Sequence, residues 1–244
     1  MLSENIFLSV VIPAYNEETR IKGSLEKIHT YLDAQAYRHE IIVVDDGSTD
    51  NTVKLVKEAA QRIKGLKLIK NGKNRGKGFS IKNGFLNAKG EYLLFSDADL
   101  STPIEELEKL IFWLKKGHDI VIGSRGLKES DIQIHQAWYR ELMGKAFNLF
   151  VQAIAVPGIK DTQCGFKCLV RNAALAICKR QRIERFSFDI EMLYIAKKFG
   201  YKTKEVPICW FNNPHTKVSI LKDGYRMCLD LIKIRINDLK GKYY

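Results

Sequence analysis

Between Leu8 and Ile122 short apolar runs alternate with helix-length amphipathic segments, and this order limits the possible folds more than any other feature of the chain. Leu8-Ser9-Val10-Val11-Ile12 reads as a buried strand, and Glu17 to Ala36 as a helix with Ile21, Leu25, Ile28 and Leu32 on one face. The pattern repeats as a strand at Glu40 to Val44, a helix from Thr49 with Val53, Val56 and Ala60 inward, and a strand at Leu66 to Ile69. A helix from about Gly76 to Ala88, a strand at Tyr92 to Phe95, a helix from Pro103 to Lys116 and a strand at Asp119 to Ile122 complete it. Such alternation predicts an α/β fold with a doubly wound, mostly parallel sheet. Ligand crevices in these sheets lie outside the carboxyl ends of the strands, so the loops there are the place to look for chemistry.

The second half is less regular. It reads as a helix from Trp138 to Val156, a loop from Pro157 to Gly165, a helix from Phe188 to Phe199 and a strand from Thr203 to Ile208. From Val218 onward Leu221, Tyr225, Cys228, Leu229, Ile232, Ile236 and Leu239 recur at helical spacing with basic residues between them, an amphipathic basic helix. Such a helix either docks on the core or lies in a membrane interface. Ala146 to Val156 is a second apolar candidate. No internal repeat, low-complexity tract or linker separates the halves, which points to one compact unit.

The formal charge of +12 is unevenly placed. Residues 1–122 carry 18 Lys and Arg against 17 Asp and Glu, whereas residues 123–244 carry 22 against 11. That field suits an anionic partner: nucleic acid, a phosphorylated substrate or an acidic membrane surface. Basic and aromatic residues are not interleaved as in a nucleic-acid recognition motif, and the first half is near neutral, so nucleic acid is not an expected partner. The five cysteines fit neither a zinc ribbon nor a disulfide scaffold and read as reduced thiols. The opening Met1-Leu2-Ser3-Glu4-Asn5 lacks a signal-peptide pattern, and no run approaches the roughly 20 apolar residues a membrane span needs. Any membrane contact is then expected to be peripheral.

Asp97-Ala98-Asp99 follows directly on the strand Tyr92 to Phe95. Carboxylates at i and i+2 of a strand share a face, and where the strand opens both can turn toward one hard cation such as Mg2+ or Mn2+, which would in turn bind a diphosphate. Asn74-Arg75-Gly76-Lys77-Gly78 offers close backbone approach and two cations at a helix start, as a sugar diphosphate requires. Pro13-Ala14-Tyr15-Asn16-Glu17 ends the first strand, and Asp45-Asp46-Gly47-Ser48-Thr49-Asp50 ends the second. The two acids there also suit a helix N-cap region with Ser48 and Thr49.

Together these motifs resemble the family 2 glycosyltransferases of GT-A fold. The later runs Gly123-Ser124-Arg125, Trp138-Tyr139-Arg140, Asp161-Thr162-Gln163-Cys164-Gly165-Phe166-Lys167, Arg185 to Glu191 and Glu205 to Trp210 look like the dolichyl-phosphate β-glucosyltransferases and their polyprenyl-phosphate relatives. The resemblance spans about Leu8 to Arg235. It implies a GT-A catalytic domain over residues 1–216, with a nucleotide-sugar half to about 122 and an acceptor half beyond it, and a C-terminal helix over 217–244. It also implies inverting transfer of a hexose from a nucleotide-sugar donor, UDP-glucose by nearest likeness, to a polyprenyl-phosphate acceptor at the cytoplasmic face of a membrane. GDP-mannose as donor, or a saccharide hydroxyl as acceptor, are the alternatives.

By the same resemblance, Pro13, Ala14, Tyr15 and Glu17 contact base and ribose, and Asp45 or Asp46 hydrogen-bonds the base. Asp97 and Asp99 hold Mg2+ or Mn2+ with Lys77 nearby, Arg125 and Arg140 take the acceptor phosphate, and Asp161 stands near the reacting centre. Of the Gly-Ser-Lys that relatives carry after the tryptophan, Asn213-Pro214-His215-Thr216-Lys217 keeps only Lys217, a further donor-site candidate. An acceptor phosphate with a second pKa of about 6 is already ionised and needs no general base. It needs guanidinium groups to offset repulsion between phosphates. A hydroxyl acceptor would need a carboxylate base, for which Asp189 is the candidate. In the plainer reading Asp161 caps a loop, and Asp189 and Glu191 pair with Arg182 or Arg185.

Overall fold

The computed structural model describes residues 5–134, 138–212 and 220–244. Its first half runs β1 (Leu8–Ala14), α1 (Ile21–Asp33), β2 (His39–Asp45), α2 (Thr52–Ala60), β3 (Leu66–Lys70), α3 (Lys77–Asn87) and β4 (Tyr92–Ser96). A 3-10 turn at Ile104–Glu106 leads into α4 (Leu107–Lys115), followed by β5 (Ile120–Ser124). The second half adds β6 (Asp131–Ile134), α5 (Trp138–Ile154), β7 (Phe166–Val170), α6 (Arg171–Arg180), α7 (Phe188–Lys198), β8 (Thr203–Pro207), β9 (Cys209–Phe211) and α8 (Ile220–Leu239).

Seven strands form one sheet in the order β3-β2-β1-β4-β7-β5-β8, and β6 and β9 make a separate parallel pair. All neighbours in the large sheet are parallel except β7, which runs antiparallel to both β4 and β5. The sheet is therefore mostly parallel, as the alternation implies, with one reversed strand near its middle. Ala14 pairs with Asp45 and Val11 with Phe95, so the three motif-bearing loops leave one edge almost level.

β1, β2 and β4 are largely apolar because helices cover both faces, and buried Ser9 and Glu40, which interrupt β1 and β2, bond each other. Val10, Ile12, Ile41, Val43 and Leu94 pack toward α1, α2 and α4, while Val11, Ile42, Val44, Leu93 and Phe95 pack toward α3, α6 and α7. Successive strand residues alternate between the two layers, as the period of two requires. Gly84 of α3 lies so close to β1 that an added Cβ would fall 2.3 Å from a Val11 methyl carbon.

Several details differ from the sequence expectation. Residues 17–20 form a turn before α1, with the Glu17 N–H donated to Thr52 Oγ1 (2.7 Å). In α2 Ala59 points inward and Ala60 is exposed. The largest difference is in α8. It docks through Met227, Leu231 and Ile234, whereas Tyr225, Leu229, Ile232, Ile236 and Leu239 from the expected apolar face are exposed, and Cys228 is half-buried. The side chains of Leu221 and Lys222 lie outside the described residues. α5 divides similarly, with Val151 buried and Leu142, Met143, Leu149 and Phe150 exposed. No helix among the described residues is long and apolar enough to cross a membrane.

Candidate active site

The loops after β1 and β2 are locked to each other by backbone amides. Asn16 adopts φ 53°, a left-handed conformation asparagine tolerates. Its N–H donates to Ser48 Oγ (2.9 Å) and its side-chain oxygen accepts the Thr49 N–H (2.8 Å). Asp45 accepts the N–H groups of Gly47 (3.3 Å) and Ser48 (3.2 Å) and so shapes its own turn. Gly47 is needed there: φ is 81°, and a Cβ would lie 2.8 Å from the Lys73 carbonyl carbon.

Asp46 reaches the next loop, accepting N–H from Gly76 (2.7 Å) and Arg75 (3.0 Å) and the Asn71 amide (2.8 Å). A buried carboxylate with three donors fixes the start of α3. That start delivers Lys77, whose Nζ lies 2.6 Å from Asp97 Oδ1 and about 6 Å from the Phe95 and Phe188 rings. Burial would lower the ammonium pKa, but Asp97 and Asp189 hold it above the ordinary lysine value, so Lys77 is a permanent cation.

Asp97 leaves β4 with its N–H donated to the Gly165 carbonyl (3.2 Å). A Cβ at Gly165 would sit 2.0 Å from Asp97 Oδ2, so any larger residue would displace that carboxylate. Buried Ala98 is fastened to α1 by Ser24 Oγ, which donates to its carbonyl (2.6 Å). Asp99 Oδ1 accepts the Ser101 N–H (3.0 Å), and its Oδ2 lies 3.8 Å from Arg20, which also pairs with Glu17. Among the described residues no cluster of three His, Cys, Asp or Glu side chains forms a metal cage. Two hard carboxylates without a third suit Mg2+ or Mn2+ of the kind that completes its shell with substrate phosphates and water.

On the other side of β4 two ion pairs organise the site. Arg125, just past β5, meets Asp161 through Nε (2.7 Å) and Nη2 (2.9 Å), and its N–H also reaches Asp161 Oδ2 (2.9 Å). Burial alone would raise the Asp161 carboxyl, but the guanidinium holds it below the ordinary carboxylate range. Trp210 covers Arg125, with 5.3 Å from the guanidinium carbon to the ring centroid. Lys167, fully buried in β7, bonds Asp189 Oδ1 and the Cys164 carbonyl, both at 2.5 Å. Burial pushes the Asp189 carboxyl up, opposed by Lys167 and Lys77. Glu191 accepts N–H groups from Arg182 (2.9 Å) and Ile183 (2.7 Å) and the Tyr243 hydroxyl (2.7 Å). The expected side-chain pairing of Asp189 and Glu191 with Arg182 or Arg185 is thus replaced by a buried lysine, backbone amides and a tyrosine.

A cavity of about 1220 Å³ opens at this edge of the sheet. Of the expected site residues it gathers Pro13, Ala14, Tyr15, Glu17, Asp46, Lys77, Asp97, Asp99 and Arg125. Asp45 is turned into its own loop, and Asp161 lies behind Arg125 rather than in the wall. Arg140 belongs to α5, but its side chain, together with residues 213–217, Lys217 included, lies outside the described residues. The cavity also includes Arg20, Gln163, Arg185 and Asp189, and an apolar wall of Met143, Phe147 and Phe150 from α5 with Tyr225 and Met227 from α8. Arg20, three residues past Glu17, carried no motif signal; Gln163 lay within a quoted run, unassigned.

A doubly wound, mostly parallel half bearing an acid pair beside a reversed strand is the GT-A arrangement. The pattern of Glycosyl transferase family 2 matches residues 9–176, and the chain belongs to that family, making it a glycosyltransferase. Within the family it is similar to the dolichyl-phosphate beta-glucosyltransferases of Dictyostelium discoideum (36% identity over 98% of this chain and 76% of that protein), Saccharomyces cerevisiae (36%, 98% and 77%) and Homo sapiens (35%, 97% and 77%). Among solved structures, mannosyl-3-phosphoglycerate synthase from Rubrobacter xylanophilus superposes with a TM-score of 0.69 at 20% identity, covering 97% of this chain and 75% of that one. Glucosyl-3-phosphoglycerate synthase from Mycobacterium tuberculosis, solved with Mn2+, UDP and glucosyl-3-phosphoglycerate, gives 0.65 at 17% identity, covering 95% and 79%. Its complex with Mg2+ and UDP gives 0.66 at 17% identity, again covering 95% and 79%. At these identities the two enzymes share the fold.

Proposed function

We propose that the protein transfers glucose from UDP-glucose to a polyprenyl phosphate of the dolichyl type, with inversion, while resting on a membrane surface. The observation that carries this reading is a single cavity holding the Asp97–Asp99 pair and Lys77 together with Arg125 and an apolar wall from α5 and α8. Charged diphosphate chemistry and a hydrocarbon-compatible wall in one space suit a phosphorylated lipid acceptor better than a sugar alcohol. The relatives named above act on dolichyl phosphate by name, which supports the same assignment.

In this reading the loop from Pro13 to Glu17 takes the nucleoside, and Asp46 keeps the Asn74–Gly78 turn in place beneath the diphosphate. Asp97 and Asp99 would hold Mg2+ or Mn2+, which when bound offsets the negative charge that develops on the departing nucleotide. Lys77, a fixed cation beside Asp97, contributes to the same end. Arg125 is aimed by Asp161 and covered by Trp210, so its remaining donors form a preset anchor for the acceptor phosphate, with Arg140 as a second. Asp161 is thereby a positioning residue. Asp189 is tied to Lys167, which suits a structural acid more than a base, and an ionised phosphate acceptor needs none.

The exposed apolar residues of α5 and α8, interleaved with exposed Lys145, Arg226, Lys233 and Arg235, form the face that would meet the membrane. The test is to incubate purified protein with UDP-glucose, Mn2+ or Mg2+ and a polyprenyl phosphate, with GDP-mannose and other nucleotide sugars as parallel donors. A lipid-linked hexose from UDP-glucose supports the reading. Donor hydrolysis without a lipid product, or transfer only to a saccharide, overturns it.

A further inference from the structure

Adjoining the catalytic cavity, and sharing Asn74, Arg185, Phe186, Asp223 and Met227 with it, lies a second one of about 770 Å³, bounded by the loop before α3, the 182–186 turn and one side of α8. Six cationic side chains line it: Lys73, Arg75, Arg182, Arg185, Arg226 and Lys233. Three carboxylates oppose them, Glu184, Asp223 and Asp230. Arg75 is already engaged, paired with Glu184 and stacked on Phe79 (3.4 Å to the ring centroid). Arg182, Arg185, Arg226 and Lys233 have no ion pair with any described carboxylate, and all four are exposed. Exposed guanidinium groups converging on a concavity without carboxylate partners are suited to an anion with several oxygens.

The place of this cavity in the fold indicates where such an anion comes from. Arg226 and Lys233 lie along one flank of the outward stripe of α8, whose Leu229, Ile232 and Ile236 are 48%, 50% and 43% exposed, and Leu229 is also part of the cavity lining. A helix lying in a membrane interface sinks such a stripe to the depth of the acyl boundary, leaving its flanking cations level with the headgroups. We infer that this second cavity seats the headgroup of an anionic phospholipid, so that the protein recognises membrane charge at a site adjoining its substrate cavity. The inference rests on the membrane contact proposed above. It adds a defined headgroup seat to what would otherwise be diffuse attraction. Arg185, which lines both cavities, places the seat beside the acceptor's entrance.

Flotation of the full chain with vesicles of pure phosphatidylcholine, and of phosphatidylcholine containing phosphatidylserine, tests this. The triple variant Arg182→Gln/Arg226→Gln/Lys233→Gln should weaken binding to the anionic vesicles by roughly 10- to 100-fold and leave binding to neutral vesicles unchanged. A control of equal charge change on another face, Lys54→Gln/Lys57→Gln/Lys64→Gln, should have little effect. Equal losses in the two variants, or none in the first, would overturn the headgroup seat. So would saturable binding of inorganic phosphate, abolished by the first variant, with no preference for anionic vesicles, since the seat would then take a soluble anion. Transfer to detergent-solubilised polyprenyl phosphate, measured without vesicles, keeps the two readings apart. A chain that binds anionic vesicles through these residues but makes no lipid-linked sugar retains the seat and loses the proposed acceptor.

Discussion

The two sides of the substrate cavity are held in shape by different forces. On the side proposed to take the donor, Asn16, Asp45 and Asp46 are satisfied largely by backbone N–H groups of neighbouring loops, so that network is stitched into the main chain. On the side proposed to take the acceptor, two charge pairs, Arg125–Asp161 and Lys167–Asp189, do the equivalent work between side chains. A network built on amides keeps its geometry through many small contacts. One built on buried ions depends on each partner, because the survivor of a broken pair remains in a poorly solvated place.

The contrast can be broken most sharply at Lys167. Lys167→Met should cost about 3–5 kcal/mol in urea unfolding by stranding Asp189, and Lys167→Met/Asp189→Leu should recover most of that loss. A single variant no less stable than the parent would mean the acceptor side is not held by its ions. Where the donor is proposed to bind, Asp97→Asn should lower transfer by about 10²–10³-fold, judged from initial rates and Mn2+ titration of the purified protein.

Asp161→Asn is expected to cost about 1.5–3 kcal/mol, since three donors from Arg125 lose their charged acceptor. The pH dependence has a definite sign. Because Asp161 is held below the ordinary carboxylate range in the folded state, its contribution is complete above the unfolded value of about 3.9 and fades as pH falls through the lower folded value. The variant should therefore lose part of the acid-induced drop in stability that the parent shows below about pH 4. Asp45→Ala, removing two backbone contacts in a well-braced turn, should cost only about 1 kcal/mol by the same measurement.

The donor side was also the more readable from sequence, and for a related reason. Parallel strands buried on both faces announce themselves as unbroken Val, Ile and Leu runs, and the loops that follow must carry whatever chemistry the edge supports. β7 escaped notice because Lys167 interrupts its apolar run, and only the location of Asp189 in three dimensions makes a lysine acceptable there. α6, with Arg171, Lys179 and Arg180 in its ten residues, gave no apolar stripe strong enough to stand out. In α8 the sequence shows two apolar stripes, Tyr225-Leu229-Ile232-Ile236 and Met227-Leu231-Ile234, and periodicity cannot say which one the core receives. Of the residues that line the cavity, Asp97 and Asp99 were legible because motif and strand end coincide, Lys77 as a cation at a helix start, and Arg125 through the family resemblance. The approach of Arg20 to Asp99 and the pairing of Lys167 with Asp189 were not, since these partners are distant in the chain.

The reversal of β7 has one more consequence. A strand running against its neighbours begins where they finish, so the chain departs from β5 after Ser124 and comes back at Phe166 on the same rim, with Ile122 and Lys167 side by side. Residues 125–165 thus form a detour whose two anchor points are adjacent. That detour carries Arg125, Gln163 and the apolar residues Met143, Phe147 and Phe150 of α5 to the cavity, so in the proposed reading everything that meets the acceptor on this rim hangs from one pair of neighbouring strands.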